Sequence, residues 1–301
     1  MGLSILPDDF RAMSERLVMQ RTGMAGIAAV TAPLLTGAFT PLPARADEKE
    51  SSAEKAQEAA QAKDTVAEIA TAALIAEDLA TTFYYNGLVG GVIQDPALAG
   101  PGGSATNITS GDAGNVGYIR AALEEEISHA KLLRSLLQIP SATADPVQTF
   151  YFPAGTFDSL GSFLGLLDAL ENAFIGAYLN AVQEFATMAA NANAKRACRE
   201  WYDTRYSPEE LVYLAKVSAS IMGIECEHRV LGRDLSESIP ANNRNYETND
   251  GINAVYNGPT SAVVALTPFL TSSTGPGFSL QTALADQGSV SIPVSGTPPA
   301  F

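Results

Sequence analysis

Apolar residues recur along four long stretches of this chain at the i, i+3, i+4, i+7 spacing that lays a stripe down one side of a helix. The first stretch covers residues 51 to about 92. It opens in a segment rich in Ala, Glu, Lys and Gln, all good helix formers, and turns amphipathic near Thr65, with Val66, Ile69, Ala73, Leu74, Glu77, Ala80 and Tyr84 on one side. Gly87, Gly90 and Gly91 end it, and residues 96–112, dense in Gly, Pro, Ser and Asn, read as a loop. The second helix is predicted over about 113–137, closed by Pro140, with Ile119, Ala122, Leu123, Glu126, His129, Ala130, Leu133 and Leu137 on its stripe. The third covers about 157–190 and carries Leu164, Leu167, Glu171, Phe174, Ile175, Tyr178 and Val182. After an irregular link over 191–206, Ser207-Pro208-Glu209-Glu210 supplies a capping hydroxyl, a proline for the first helical position and two acids for the positive end of the helix dipole. That starts a fourth helix with Leu214, Val217, Ser218, Ile221, Glu225, His228 and Leu231 on one side. Periodicity then stops near Ser236. Residues 240–301 are rich in Asn, Ser, Thr, Gly and Pro, with short apolar runs over 261–270 and 289–294. They predict an extension that wraps the helices with a few turns or short strands, or else a tail that binds a partner.

Each stripe contains a glutamate that breaks its apolar character: Glu77, Glu126, Glu171 and Glu225. The chain has only two histidines, and each stands three residues after one of these acids, in Glu126-Ile-Ser-His129 and Glu225-Cys-Glu-His228. At ordinary glutamate usage, two unrelated histidines would both meet that condition only ~0.4% of the time. Positions i and i+3 share a helix face, so each Glu/His pair can reach one metal ion. An internal repeat supports the same reading. Glu77 is followed seven residues later by Tyr84 and Glu171 seven later by Tyr178, and each of those helices precedes an E-x-x-H helix. Two helical hairpins of one design are expected to face each other. Tyr84 and Tyr178 read equally as hydrogen-bond partners of metal-binding glutamates and as core aromatics satisfied elsewhere. Asp78 is rotated off its stripe and expected in solvent, Glu124 and Glu125 flank theirs as surface charges, and Asp168 reads as a solvated charge or as a residue orienting a histidine.

Four carboxylates buried, ionised and alone would be costly. Two divalent cations would cancel their charge, while His129 and His228 add one neutral imidazole to each ion. Six ligands, Glu77, Glu126, His129, Glu171, Glu225 and His228, shared by two ions leave coordination positions open for water, peroxide or dioxygen. Oxygen-rich ligation with one imidazole per ion favours two iron or two manganese ions over structural zinc. Glu126 and Glu225 are expected to bridge, and Glu77 and Glu171 to bind terminally or bridge.

The net charge of −15 and the lack of any Lys/Arg cluster argue against a nucleic-acid partner. Cys198 and Cys226 form no CxxC pair, which excludes a zinc ribbon or a thioredoxin-type motif; they could pair with each other in an oxidising compartment. Residues 1–46 look like an address. No charge stands between Arg21 and Arg45, residues 24–39 are apolar and small, and Ala44-Arg45-Ala46 precedes the charged run Asp47-Glu48-Lys49-Glu50. This predicts a cleaved export signal, with an uncleaved membrane anchor as the alternative, and a destination in a bacterial periplasm, outside the cell or in a thylakoid lumen.

The inward Glu/His set, the two tyrosines, Phe152-Pro153 ahead of the third helix and Ile239-Pro240-Ala241-Asn242-Asn243 behind the fourth resemble the ferritin-like domain family, and within it the desiccation-related proteins, over about residues 66–270. Taken with the patterning, the resemblance implies an all-α fold: a ferritin-like four-helix bundle over 65–235, behind a helical, charged lead-in over 47–64 and ahead of an irregular C-terminal extension over 236–301. It also implies an association with stress tolerance. The ligand set is similar to those of bacterioferritin, rubrerythrin and manganese catalase, which react with oxygen or peroxide. No tyrosine stands one turn after either histidine, where Leu133 and Gly232 are found, which counts against a tyrosyl-radical subunit. The expectation is an exported dinuclear-metal oxidoreductase that oxidises Fe(II) or decomposes peroxide. The alternative is a structural or interaction subunit, a homo-oligomer or part of a membrane-associated complex joined through the C-terminal extension, in which metal only pins the bundle.

Overall fold

A computed structural model describes residues 64–93, 113–193, 205–237 and 262–291. The leader, most of the lead-in, Cys198, Trp201, the motif at 239–243 and residues 292–301 lie outside the described residues, and with them the expected cleavage site and cysteine pairing.

Four long helices dominate: α1 (Val66–Val89), α2 (Ala113–Leu137), α3 (Leu160–Asn193) and α4 (Pro208–Leu235). Two of them begin at reciprocal caps. Thr65 Oγ1 accepts from the Glu68 N–H at 3.2 Å while Glu68 Oε2 accepts from the Thr65 N–H at 2.8 Å, and Ser207 and Glu210 repeat the arrangement at 3.2 and 2.7 Å. Each cap satisfies two backbone groups that the first helical turn would otherwise leave open. α3 starts three residues later than the pattern indicates, where the Ser159 hydroxyl accepts from the Ser162 N–H at 3.1 Å.

α1 and α2 form one hairpin, with Ala70 and Leu74 packed on Ala130 and Leu133; α3 and α4 form the other, with Ala181 and Phe185 packed on Leu211, Leu214 and Ala215. The hairpins meet through α1 against α3 and α2 against α4. The fold is all-α apart from one small antiparallel ribbon, β1 (Thr149–Tyr151) with β2 (Gly277–Ser279), in which Phe150 stands opposite Phe278. β1 belongs to the α2–α3 connection and β2 to the extension, so the ribbon fastens one to the other. Two short helices of the extension, α5 (Ala262–Leu266) and α6 (Leu280–Asp286), then pack on α1. The described part of the extension therefore wraps the bundle with turns and a short strand.

Phenylalanines close the end of the bundle beneath this wrap. Phe83 stacks on Phe163 with ring centroids 4.6 Å apart, and Phe152, Phe157, Phe269 and Phe278 extend the cluster. Two glycines permit it. A side chain on Gly87 would collide with the Phe163 ring, and one on Gly275 would collide with the Phe152 carbonyl.

The wrap changes the character of α1. Every residue from Leu74 to Tyr85 is buried, so α1 is a central helix with two covered faces instead of the one-sided stripe its pattern indicates. Two expectations about charged residues are corrected. Asp78 is fully buried, and Arg134 donates from Nη2 to Asp78 Oδ1 at 2.6 Å and from Nε to Asp145 Oδ2 at 2.7 Å. Asp168, read as a solvated charge or a histidine-orienting residue, instead accepts from Arg233 Nε at 3.0 Å across the α3–α4 pair.

Candidate metal centre

All four long helices deliver side chains to one point midway along the bundle. α1 brings Glu77, α2 brings Glu126 and His129, α3 brings Glu171, and α4 brings Glu225 and His228. One ligand atom each from Glu77, Glu126, His129 and Glu225 fall within 4.8 Å of one another, and so do one each from Glu126, Glu171, Glu225 and His228. Two groups of four arise from six residues because Glu126 and Glu225 belong to both.

The atoms show how the sharing works. His129 Nδ1 lies 3.7 Å from Glu126 Oε2 and 3.4 Å from Glu225 Oε1, while His228 Nδ1 lies 3.0 Å from Glu126 Oε1 and 3.4 Å from Glu225 Oε2. Each shared glutamate thus turns one oxygen to each histidine. Glu77 Oε2 completes the first group, 3.2 Å from His129 Nδ1, and Glu171 Oε2 the second, 4.0 Å from His228 Nδ1.

A second set of residues fixes these ligands in place. The Tyr84 hydroxyl donates to Glu171 Oε1 at 2.6 Å, and the Tyr178 hydroxyl donates to Glu77 Oε1. Of the two readings left open for the tyrosines, hydrogen bonding to the inward glutamates is the one this geometry shows, with the partners exchanged. A glutamate and a tyrosine seven residues apart stand about 10 Å apart along the axis, so each hydroxyl reaches the glutamate of the opposite hairpin and not its own. Glu125 is a correction: it is half-buried, and its Oε2 lies 2.9 Å from His228 Nε2. A carboxylate on the far nitrogen favours the proton there, so that a neutral imidazole would turn its Nδ1 lone pair to the cluster. His129 is the more open of the two histidines, 12% exposed against 4% for His228.

Residues 65–197 match the ferritin-like domain family. The all-α, four-helix fold described above is consistent with that match. No curated protein and no solved structure matches the chain significantly. The match ends before α4, so what places Glu225 and His228 in the cluster is the packing of α4 and not the match.

The charge balance within the domain explains what the site requires. Both oxygens of Glu126, both of Glu225, Glu171 Oε2 and His228 Nδ1 are buried with no hydrogen-bond partner. Buried carboxylate oxygens without donors are expensive, and here they converge on one spot. Burial pushes Glu77 well above the usual carboxylate range, against the pull of His129, and pushes Glu171 up likewise, with repulsion from Glu225 adding to it. For Glu126 burial acts in the same sense but is outweighed by the imidazoles of His129 and His228 beside it, which draw it down. Burial would lower both histidines; the surrounding carboxylates overcome it and raise them. Burial and the neighbouring carboxylates raise Tyr84 and Tyr178, so both remain donors. The protein alone can relieve this crowding only by holding extra protons. Divalent cations would displace them, and the donor set of four carboxylates and two imidazoles fits a pair of such ions.

Proposed function

We propose that the ferritin-like domain holds two iron or two manganese ions and uses them to oxidise Fe(II) or to decompose peroxide, in an exported protein that protects against stress. The observation that carries the reading is the disposition of Glu126 and Glu225, each offering one oxygen to each histidine Nδ1 and neither satisfied by any protein donor. Glu77 and His129 would complete one ion's ligands, and Glu171 and His228 the other's. When bound, such a pair supplies two electrons, which with two protons reduce dioxygen to hydrogen peroxide or hydrogen peroxide to two waters.

The chain's own groups prepare that chemistry. Tyr84 and Tyr178 each occupy one oxygen of a terminal glutamate, which leaves the other oxygen aimed inward. Glu125 fixes the tautomer of His228 and, half-exposed, provides a path for protons between solvent and that imidazole. Export is supported by the uncharged stretch and the Ala44-Arg45-Ala46 site, and membership of the desiccation-related branch by the motif at 239–243.

Anaerobic addition of Fe(II) to purified protein, followed by oxygen, tests the reading. Two ions per chain and a rapid absorbance change, both lost in Glu126→Ala and His129→Ala, are expected. Tight binding without turnover would instead assign the metal a purely structural role, and no binding would end the proposal.

A further inference from the structure

One turn along the bundle axis from the carboxylate cluster, the four helices leave a cavity of about 30 Å³. Its position follows from the register of its lining. Ala73 precedes Glu77 by one turn on α1, Leu133 follows His129 by one turn on α2, Tyr178 follows Glu171 by two turns on α3, and Ile221 precedes Glu225 by one turn on α4. Ala181 and Leu214 complete the inner wall. The lining is hydrocarbon except for the hydroxyls of Tyr178 and Ser218, and the Tyr178 hydroxyl is committed to Glu77. The void and the carboxylates thus meet at Tyr178. Ile69 of α1, Leu132 and Leu136 of α2 and Val217 of α4, all half-buried, also line the void.

A void of this size could admit water by volume, since a cavity of roughly 10–15 Å³ suffices for one molecule, but a water needs two to four polar partners and apolar cavities without them stay dry. A small apolar molecule has no such requirement. We infer that this cavity is a binding pocket for dioxygen, from which the gas reaches the cluster past Tyr178. The inference rests on the dinuclear reading above and names the oxidant that reading leaves open. Peroxide, a polar hydrogen-bonding molecule, would arrive by the wetter side, at Glu125 and the exposed edge of His129.

Xenon pressurisation of crystals of the metal-free full chain reads the pocket without any catalysis. A xenon atom between Ala73, Ala181 and Leu214 is expected, and an empty void in the wild type would overturn the inference. Ala181→Leu fills the space, with Ala181→Val as the milder substitution should the larger side chain prevent folding. Either variant should lose the xenon, bind metal anaerobically with unchanged stoichiometry, and be oxidised several-fold more slowly by dioxygen but at an unchanged rate by hydrogen peroxide. Equal rates with dioxygen in variant and wild type, or equal slowing with both oxidants, would overturn delivery. Metal bound without xenon retires the pocket alone, whereas xenon bound in a chain that takes up no metal retires the dinuclear reading and delivery with it.

Discussion

Glu77 and Asp78 are neighbours on α1, both buried, yet they point about a quarter-turn apart to different neighbours and two different solutions to one electrostatic problem. On Asp78's side two acids, Asp78 and Asp145, share the guanidinium of Arg134. Burial raises both, Asp78 strongly, and Arg134 opposes it. On Glu77's side four carboxylates meet two imidazoles and no lysine or arginine among the described ion pairs, and the unpartnered oxygens point at one another. A buried acid is therefore no sign of a metal in itself. What separates the two clusters is whether the chain encodes the counter-charge, as it does with Arg134, or leaves it to be collected.

If that contrast is right, the largest effect comes from a shared glutamate. Glu126→Ala or Glu225→Ala should abolish binding of both ions, whereas Glu77→Ala or Glu171→Ala should remove one; elemental analysis after anaerobic loading counts them. Metal-induced stabilisation, about 4 kcal/mol when free metal stands ~1,000-fold above its dissociation constant, should vanish in the first pair. The metal-free variants should unfold no more easily than the metal-free wild type, because they remove a buried carboxylate whose oxygens accept no hydrogen bond.

On Asp78's side the sign reverses. Arg134→Met strands two buried acids and should cost about 3–5 kcal/mol in denaturant unfolding. Adding Asp78→Asn and Asp145→Asn should recover most of that loss, with metal stoichiometry unchanged throughout. Failure of the triple variant to recover would mean that Arg134 acts through packing and not through charge. A smaller effect is expected at the tyrosines. Tyr178→Phe releases Glu77 and Tyr84→Phe releases Glu171, so each should weaken one ion, by about 1.5–3 kcal/mol for a hydrogen bond to a charged acceptor, and spare the other. Isothermal titration resolving two binding steps separates the cases.

How much of this contrast the sequence discloses depends on range. The four helices and the six clustered side chains were legible, because helical periodicity and E-x-x-H spacing are local: they are written within a turn or two of each residue. Asp78 was not legible, because what buries it is Arg134 and Asp145 together with an extension some two hundred residues further on. The tyrosines show the boundary between the two. A seven-residue spacing gives the face of Tyr84 correctly but not its acceptor, which belongs to the opposite hairpin. Glu125 failed for the same reason. Its own helix places it beside the stripe, and only α4, bringing His228 alongside, makes it a partner.

The faint end of the comparison lies two turns along α1, where Tyr84 and Tyr85 repeat the divergence of Glu77 and Asp78. Tyr84 turns to the cluster, while Tyr85 turns to the extension and donates to Asp286 Oδ2 of α6 at 2.8 Å. Burial, then the hydrogen bond and the charge of Asp286, push the Tyr85 phenol from 10.0 up to about 12. The folded chain thus holds this proton more tightly than the unfolded chain does. The resulting stability is complete below about pH 10 and is lost as pH rises through about 12. Tyr85→Phe never has it. The difference in melting temperature between wild type and Tyr85→Phe should be small and constant at neutral pH and should close between about pH 10 and 12, with metal stoichiometry the same in both. Because the other tyrosines titrate alike in the two proteins, that difference isolates the tie between α1 and α6. No gap at neutral pH would show that the extension is held by its apolar contacts alone, with Tyr85 contributing shape and no hydrogen bond.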